Sequence, residues 1–278
     1  MSLADQIARA PKIGTARIVT MDIERVPGRA RVQHRGLTIE GEFWDLNAWK
    51  HTIGRRIHPD DVLEWPRTIC AAWKWYDSKR AYFAAEWEPD GRESFLRAVW
   101  DVYDRADIII GHNVKRFDTK HLRGEWKLLG LDQPAPVKFV DTLTVARAEF
   151  GFESNTLDSL CERFGIARKV DKYDAQIARA ACNGDAAAQR RIKRYNIGDI
   201  IANEGLYDQM RGWITNHPHL GLFNGVEDAC PQCGHAEQVK TKLTPAQVRS
   251  YQGYKCTNCG APLRRNHAKV TTLMRPSR

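Results

Sequence analysis

Two carboxylates stand two positions apart near the N-terminus, at Asp22 and Glu24. They lie at the end of a short apolar run, residues 17–23, which predicts a buried first strand. Because side chains alternate along a strand, both acids should project from the same face. Two unpaired acids on one face repel each other, and a cation between them relieves that repulsion. The pair therefore indicates a divalent-metal site, with a solvated strand end as the structural alternative.

A third acid, Asp118, lies in the segment GHNVKRFD directly after a predicted strand at residues 106–111. Ligand-bearing residues commonly collect at the carboxyl ends of strands in α/β sheets. Asn113 and Phe117 share the segment and could contact a nucleotide by hydrogen bonding and stacking. A turn-forming Asn and a buried Phe would explain these two residues equally well.

Tyr195 and Asp199 stand four positions apart in a segment with a helical pattern. On a helix, side chains at this spacing face the same way, one turn apart. Tyrosines at helical spacing are usually core residues, so this pair gains weight only from the other acids.

Three motifs occur in a fixed order: D-I-E at 22–24, N-x-x-x-F-D at 113–118 and Y-x-x-x-D at 195–199. In this order they resemble the exonuclease motifs of the DEDD superfamily, tyrosine subtype. Over about residues 15–215 the chain is similar to DnaQ-like exonucleases and to the proofreading domains of family B DNA polymerases. The resemblance implies an α/β, ribonuclease H-like fold with a mixed five-stranded sheet and flanking helices.

The resemblance also implies a mechanism, 3′→5′ exonuclease action with two Mg²⁺ (or Mn²⁺) ions. The ligands it implies are Asp22, Glu24, Asp118 and Asp199, with Asp22 bridging both ions. Tyr195 would orient the attacking water, because a neutral tyrosine is a weak base. The expected products are nucleoside 5′-monophosphates, released one at a time from a 3′ end.

Two features depart from the compact members of this family. Arg25 stands where many relatives have Thr after D-x-E, which predicts altered handling of the terminal nucleotide. Residues 27–66 form a long insertion, similar to that of phage-encoded relatives that share WKWY-like strands, and only some extended structure is expected in it. Asp141, also near a strand end, is interpreted as a helix cap or a residue that supports the ligands.

The seven cysteines divide into two groups. Cys70, Cys161 and Cys182 stand singly in apolar segments and are predicted to be buried, inert thiols. The other four form two C-x-x-C pairs, Cys230 with Cys233 and Cys256 with Cys259. Four thiolates match a closed, structural Zn²⁺ site, and the module resembles a zinc ribbon.

Charge is concentrated in this last segment. From residue 230 onward, nine Lys or Arg residues stand against one acid, so the segment carries +8 of the chain's net +9. This imbalance favours a polyanionic partner, although a solvated tail that aids solubility is the alternative. The residues expected to stack on bases or contact phosphates are Tyr251, Tyr254, Lys255, Arg264 and Arg265.

The remaining patterns predict the order of the elements. A hairpin is expected at 68–76 and 81–87, helices at 92–105 and 119–129, and a strand at 136–141. A helix beginning at Thr156 is expected to be capped by Asn155, and a break in later helices is expected at Asn183-Gly184. The predicted division is a ribonuclease H-like domain at 1–215, a linker at 216–229 and a zinc ribbon at 230–278.

The bulk properties exclude a membrane protein. Mean hydropathy is −0.53, and no run approaches the ~18 apolar residues that a transmembrane helix needs. Without a signal peptide, the expected location is the cytoplasm, or the host cytoplasm for a phage-encoded protein.

The predicted substrate is single-stranded DNA or a 3′ end of duplex DNA, with proofreading beside a DNA polymerase as a candidate role. Three alternatives remain open at this point: RNA as the substrate of a 3′→5′ exoribonuclease, a polymerase subunit, and a non-catalytic nucleic-acid clamp on a nuclease scaffold.

Overall fold

The computed structural model describes residues 16–34, 36–48, 57–76, 78–167, 173–226, 228–246 and 248–271. Residues 49–56 of the insertion and residues 272–278 at the C-terminus lie outside these ranges.

The described residues form twelve strands and eight α-helices. The strands are β1 (Ile18–Val26), β2 (Arg29–His34), β3 (Leu37–Glu42), β4 (Val62–Glu64), β5 (Arg67–Trp75), β6 (Ala81–Ala85), β7 (Ile108–Gly111), β8 (Lys138–Asp141), β9 (Gln238–Pro245), β10 (Arg249–Cys256), β11 (Pro262–Arg264) and β12 (Val270–Thr271). The α-helices are α1 (Phe43–Ala48), α2 (Gly91–Arg105), α3 (Asp118–Leu128), α4 (Thr142–Glu149), α5 (Leu157–Arg163), α6 (Ala175–Cys182), α7 (Ala186–Met210) and α8 (Leu220–Asn224).

A mixed five-stranded sheet forms the centre of the molecule, in the order β6-β5-β1-β7-β8. β1 pairs antiparallel with β5 and parallel with β7, and β8 continues the parallel half. The predicted hairpin is the antiparallel pair β5–β6. The expected α/β fold with a mixed five-stranded sheet and flanking helices is therefore confirmed.

The two faces of β1 have different neighbours, and this difference places the acids. Val19, Met21 and Ile23 belong to one core cluster, which includes the buried side of α2. On the opposite face, Ile18 packs in a second cluster with Leu206 of α7 and its neighbours. Because residues alternate, the even-numbered positions of β1, including Asp22 and Glu24, face α7.

The long helix α7 begins where the sequence predicts a break. α6 ends at Cys182, Gly184 adopts a positive φ of 92°, and Asp185 caps α7 by accepting hydrogen bonds from two amides of its first turn. A left-handed backbone at Gly184 reverses the chain at no steric cost. With 25 residues, α7 is long enough to extend across the sheet.

One predicted cap is wrong. Thr156, not Asn155, is the N-cap of α5, since the Thr156 hydroxyl accepts a hydrogen bond from the Ser159 amide at 3.3 Å. Asn155 stands one residue too early to reach that turn, and its amide group donates to the Phe152 carbonyl instead.

The insertion has more structure than the sequence predicted. β2, β3 and β4 form a separate three-stranded sheet over a small core that includes Val32 and Leu46. Arg179 of α6 ties this sheet to the main body, since its guanidinium pairs with Glu42 at 2.7 Å and with Glu64 at 2.6 Å.

The C-terminal segment forms a third, four-stranded sheet around β10. Its buried apolar core is small, with Cys230, Cys256 and Ala261 as its fully buried members. The predicted linker contains the short helix α8, and the Leu220 amide donates to the Pro231 carbonyl at 2.9 Å. Among the described residues, no helix has the length and apolar character needed to cross a bilayer.

Candidate active site and metal centre

Three carboxylates meet between β1 and α7. Asp22 and Glu24 project from β1, and Asp199 projects from α7, which lies across that face of the sheet. Each offers an oxygen within 4.8 Å of the oxygens of the other two. Glu24 and Asp199 are buried, whereas Asp22 is partly exposed. The pairing of acids across 175 residues of sequence follows from the packing of one helix on one strand.

Asp118 approaches the same strand from another direction. It is the first residue of α3 and only 2% exposed, and its Oδ1 accepts a hydrogen bond from the Ile23 amide at 3.2 Å. Ile23 is the residue between Asp22 and Glu24, so Asp118 lies directly beside the pair. The N-terminus of α3 favours a negative charge there.

Burial and mutual repulsion raise the pKa values of two carboxylates in the cluster. Burial, followed by repulsion from Glu24, Asp118 and Asp199, raises the pKa of Asp22 well above its usual value. Burial likewise raises the pKa of Asp118 to about 7, against the hydrogen bonds from its own amide and that of Ile23. Clustered acids with raised pKa values are typical of functional sites.

This donor set fits a hard divalent cation. Carboxylate oxygens are the ligands that Mg²⁺ and Mn²⁺ prefer, and a cation bound among them would remove the repulsion that raises these pKa values. Asp22, Glu24 and Asp199 are placed to share one ion, and Asp118 is placed beside them.

Asn196 supports the cluster, and the sequence motifs do not include it. It is fully buried on α7, and its Nδ2 donates to Asp22 Oδ2 at 2.6 Å. This bond opposes the rise in the pKa of Asp22 and fixes the carboxylate's orientation. A signal was present, because Asn196, Asp199 and Asn203 interrupt the apolar stripe of α7 with buried polar groups.

Tyr195 lies one helical turn before Asp199 and is partly buried. Its ring lies 6.0 Å from that of Tyr173, at an interplanar angle of 33°. The Tyr173 hydroxyl donates to the Arg25 carbonyl at 2.6 Å. The Tyr195 ring therefore packs beside a second aromatic residue, Tyr173, whose hydroxyl binds the backbone of β1.

Arg25, which replaces the expected threonine, connects several segments around the site. Its guanidinium contacts His121 Nε2 of α3 at 3.2 Å and donates to the Pro66 carbonyl at 3.1 Å. Burial lowers the pKa of Arg25 and also that of His121, which matches a neutral His121 ring accepting from Arg25. Neither His121 nor Tyr173 carries a sequence signal of its own.

Of the two residues before Asp118 that could contact a nucleotide, Phe117 is exposed to solvent and Asn113 forms a turn. Phe117 is 42% exposed, with its ring edge-on to His121 at 4.7 Å, so the buried-core alternative is wrong. Asn113 has a positive φ of 66°, and its carbonyl accepts from the amide of Phe117, as in the turn-forming alternative. Asp141 caps α4 and accepts from the Asn113 amide, so its interpretation as a cap is confirmed.

The four paired cysteines converge at the C-terminal module. Cys230 and Cys259 sulfurs lie 3.6 Å apart, as do those of Cys233 and Cys256, and all four lie within 4.8 Å of one another. A tetrahedral zinc site with Zn–S bonds of about 2.3 Å requires sulfurs about 3.8 Å apart. Disulfides would need about 2.05 Å. The set therefore fits zinc.

Each C-x-x-C pair is followed by a glycine that closes a tight turn. Gly234 and Gly260 both have φ of 73°, and their amides donate to the carbonyls of Cys230 and Cys256. Of the lone cysteines, Cys70 and Cys161 are buried, while Cys182 is only partly buried because α6 ends there.

Two arginines of the module stack on tyrosines. The Arg264 guanidinium lies 4.5 Å from the centre of the Tyr251 ring, and that of Arg265 lies 5.3 Å from the Tyr254 ring. Arg265 also pairs with Asp228. These pairs keep the arginine and tyrosine side chains together at the surface.

Comparison with known proteins identifies the fold family. The RNase H superfamily model matches residues 68–211, which include Asp118, Tyr195 and Asp199. No curated protein matches the chain. Among solved structures, the family B DNA polymerase from the hyperthermophilic archaeon Pyrobaculum calidifontis is 18% identical, with a TM-score of 0.48. That match covers 86% of this chain and 32% of the polymerase, so the chain spans about a third of the polymerase's length. Because the superfamily model covers just over half of the 278 residues, the chain belongs to the RNase H superfamily.

Proposed function

We propose that this protein is a metal-dependent 3′→5′ exonuclease that releases nucleoside 5′-monophosphates, with single-stranded DNA as its main substrate. The observation that carries the proposal is the convergence of Asp22, Glu24 and Asp199 within 4.8 Å, with Asp118 bonded to the backbone between the first two. Membership of the RNase H superfamily supports a nuclease activity.

The proposed ligands are Asp22, Glu24, Asp118 and Asp199, which together supply four negative charges. Bound Mg²⁺ or Mn²⁺ supplies positive charge that generates the nucleophile and stabilises the phosphate oxygens. The carboxylates offset most of that charge, so the site still accepts a phosphodiester. A purely binding protein has no use for a buried cluster whose members repel one another.

Two residues of α7 prepare the site without carrying negative charge. Asn196 holds Asp22 in one orientation through the 2.6 Å hydrogen bond. Tyr195, one turn from Asp199, is proposed to hold the attacking water through its hydroxyl. Its proposed role is to orient the water without removing its proton.

The proposed 3′→5′ direction rests on the order of the three motifs, and the proposed preference for DNA rests on their resemblance to DnaQ-like exonucleases and polymerase proofreading domains. Phe117, exposed beside Asp118, is proposed to stack on the terminal base, and Arg25 with His121 to line the same end of the site. The runner-up function is a 3′→5′ exoribonuclease, because the same acids serve either sugar.

A cleavage assay on matched oligonucleotides tests the proposal. DNA and RNA of one sequence, labelled at the 5′ or the 3′ end, are incubated with Mg²⁺. We expect the 3′ label to leave first as a mononucleotide, and the 5′-labelled DNA to shorten stepwise. Asp118→Ala should abolish this, whereas Asp132→Ala, at an exposed acid outside the cluster, should not. Internal cuts, or full activity of Asp118→Ala, would contradict the proposal.

The C-terminal module is proposed to be a zinc ribbon, with one structural Zn²⁺ on Cys230, Cys233, Cys256 and Cys259. Zinc would hold together a segment whose own apolar core is too small to fold alone. Its basic surface, including Arg264 and Arg265, is proposed to contact nucleic acid. Association with a DNA polymerase in proofreading is a further proposal, which co-purification with the cognate polymerase would test.

A further inference from the structure

The zinc-ribbon module packs directly on the end of the helix that carries Tyr195 and Asp199. A turn of 3₁₀ helix, Arg211–Trp213, follows α7. A side chain at Gly212 would lie 2.3 Å from the Cys259 carbonyl, so this position must stay glycine for the two parts to meet. Gln232 is buried there, and its amide donates to the Ile214 carbonyl at 3.3 Å. The junction is therefore a specific contact.

Two adjoining cavities open along this junction, with volumes of about 730 Å³ and about 430 Å³. They share the lining residues Thr215, Gln232, Tyr254 and Pro262, so they lie side by side along the junction. Trp213 lines the larger cavity, and Arg264 and Arg265 line the smaller one. We call this feature the junction groove.

An exposed tryptophan, Trp213, lines the junction groove. Trp213 is 62% exposed, although large aromatic side chains are usually buried. Phe150 meets it at 5.7 Å, with an interplanar angle of 62°, and Phe150 itself packs on Phe152 and Phe164. The Trp213 ring is thereby supported on one side and accessible on the other. Tyr254 places a second ring in the same groove.

The charge of the junction groove fits a polyanion. Lys255, Arg264 and Arg265 line it, on a module with nine basic residues against one acid. Two acids also line the junction groove. Asp228 pairs with Arg265, and Glu149 accepts a hydrogen bond from the Thr215 hydroxyl at 3.2 Å. Even after four thiolates bind zinc, the module would keep about +6.

We propose that the junction groove is a second binding site for single-stranded nucleic acid, with bases stacked on Trp213 and Tyr254 and phosphates near Lys255 and Arg264. Stacking platforms with basic side chains between them are how sequence-tolerant proteins hold single strands. The proposal rests on the proposed function in one respect, that the same strand reaches the acidic cluster. Met210, the last residue of α7, lies 11 residues beyond Asp199, or about 16 Å at about 1.5 Å per residue, so a strand of several nucleotides spans both sites.

Binding without cleavage tests the junction groove by itself. A fluorescein-labelled oligothymidylate of about 20 nucleotides is titrated with the zinc-loaded full chain, and anisotropy gives the Kd. The buffer contains neither Mg²⁺ nor a chelator, so the strand stays intact and zinc stays bound. We expect Trp213→Ala to raise the Kd by about fivefold or more, since one stacked base contributes that much. Trp213→Phe keeps a ring and should stay within about twofold.

Matched variants separate stacking from a general surface effect. Leu128→Ala removes another exposed apolar side chain, 89% exposed at the end of α3, and should leave the Kd unchanged. Lys255→Ala should weaken binding and reduce its dependence on salt by about one counter-ion. An unchanged Kd in Trp213→Ala would overturn the proposal and indicate another occupant, such as a protein. Equal weakening in Trp213→Phe and Trp213→Ala would also overturn it.

The outcome is independent of catalysis. If the wild-type chain binds through Trp213 but does not cleave in Mg²⁺, the proposed exonuclease fails while the groove stands. If it cleaves and Trp213→Ala binds normally, the groove fails while the exonuclease stands.

Discussion

The acidic cluster and the four-cysteine cluster are both candidate metal sites, but they are built in opposite ways. The acids come from β1, α3 and α7, elements that a large apolar core already holds in place. The cysteines come from two short turns of a module whose buried core has three small members. The acidic cluster is therefore held in place by the fold, whereas the proposed zinc site should itself hold the fold of the C-terminal module.

The donor atoms reinforce this difference. Four sulfurs within 4.8 Å of one another can complete a tetrahedral shell, which would leave no position for a substrate. In the acidic cluster Asp22 is partly exposed, so an ion bound there would keep coordination positions for water and phosphate. A metal ion should therefore stabilise the C-terminal module, but should serve chemistry in the acidic cluster.

Loss of zinc should have the largest effect of any change considered. Cys256→Ser removes one of four thiolates from a site whose binding free energy is about 10–16 kcal/mol in comparable modules. We expect the zinc content to fall from one atom per chain to near zero, with rapid hydrogen exchange in residues 230–271. The central sheet should keep its protection. Cys182→Ser, at a lone cysteine, should retain zinc; a protected module without zinc would contradict the comparison.

Removal of one acid should abolish activity without unfolding the protein. Asp22→Asn should lower kcat on single-stranded DNA by on the order of 10²–10³-fold, the scale of losing a major electrostatic group. Because it also removes repulsion from Glu24 and Asp199, the melting temperature of the metal-free protein should rise. Calorimetry and single-turnover kinetics measure the two effects. A lower melting temperature would show that the acids are structural.

The support from Asn196 should have an intermediate effect. Asn196→Ala removes the hydrogen bond to Asp22 and should weaken Mg²⁺ affinity or activity by about 10–100-fold, as is usual for residues that orient metal ligands. The metal dependence of the rate checks this, since excess Mg²⁺ should restore part of the activity. Asn203→Ala, at the next polar position of the same helix face, should leave the metal dependence unchanged. Equal losses in both variants would assign Asn196 a packing role.

The smallest expected effect concerns pH. Asp118 has a pKa of about 7 in the folded chain, above its value when unfolded, so its contribution to stability falls as pH rises from about 4 to about 7. A metal ion competes with that proton, and MnCl₂ should raise the melting temperature more at about pH 8 than at about pH 5.5, by about 2–4 °C for each kcal/mol. Asp118→Asn should reduce this difference; an equal shift at both pH values would contradict it.

The sequence was sufficient for what depends on local periodicity and on motifs. The strand alternation placed Asp22 and Glu24 on one face, and the spacing of the cysteines predicted that all four converge, as the structure shows. Two features depended on contacts between distant segments. Asn196 supports Asp22 only because α7 crosses β1, and Arg179 holds the insertion's sheet to the main body through Glu42 and Glu64. The helical spacing of Asn196 and Asp199 shows that they share a face of α7, but no periodic pattern names the partner of either contact.

The way in which the two parts of the chain meet was also beyond the sequence. Residues 216–229 are rich in Pro, Gly and Asn, which indicates a linker. In the structure this segment contains α8, and the adjoining Gln232 is buried against Ile214. The close approach of Gly212 to Cys259 can be recognised only in three dimensions. The extents of the domains remain a prediction.

The most direct test is a crystal structure of the zinc-loaded protein soaked in MnCl₂, with anomalous data collected at the manganese edge. The account predicts a manganese peak bonded to Asp22, Glu24 and Asp199, a second one beside Asp118, and neither in crystals of Asp22→Asn. Absence of manganese between these carboxylates in the wild-type crystals, with Asp199 or Asp118 turned away from β1, would contradict it.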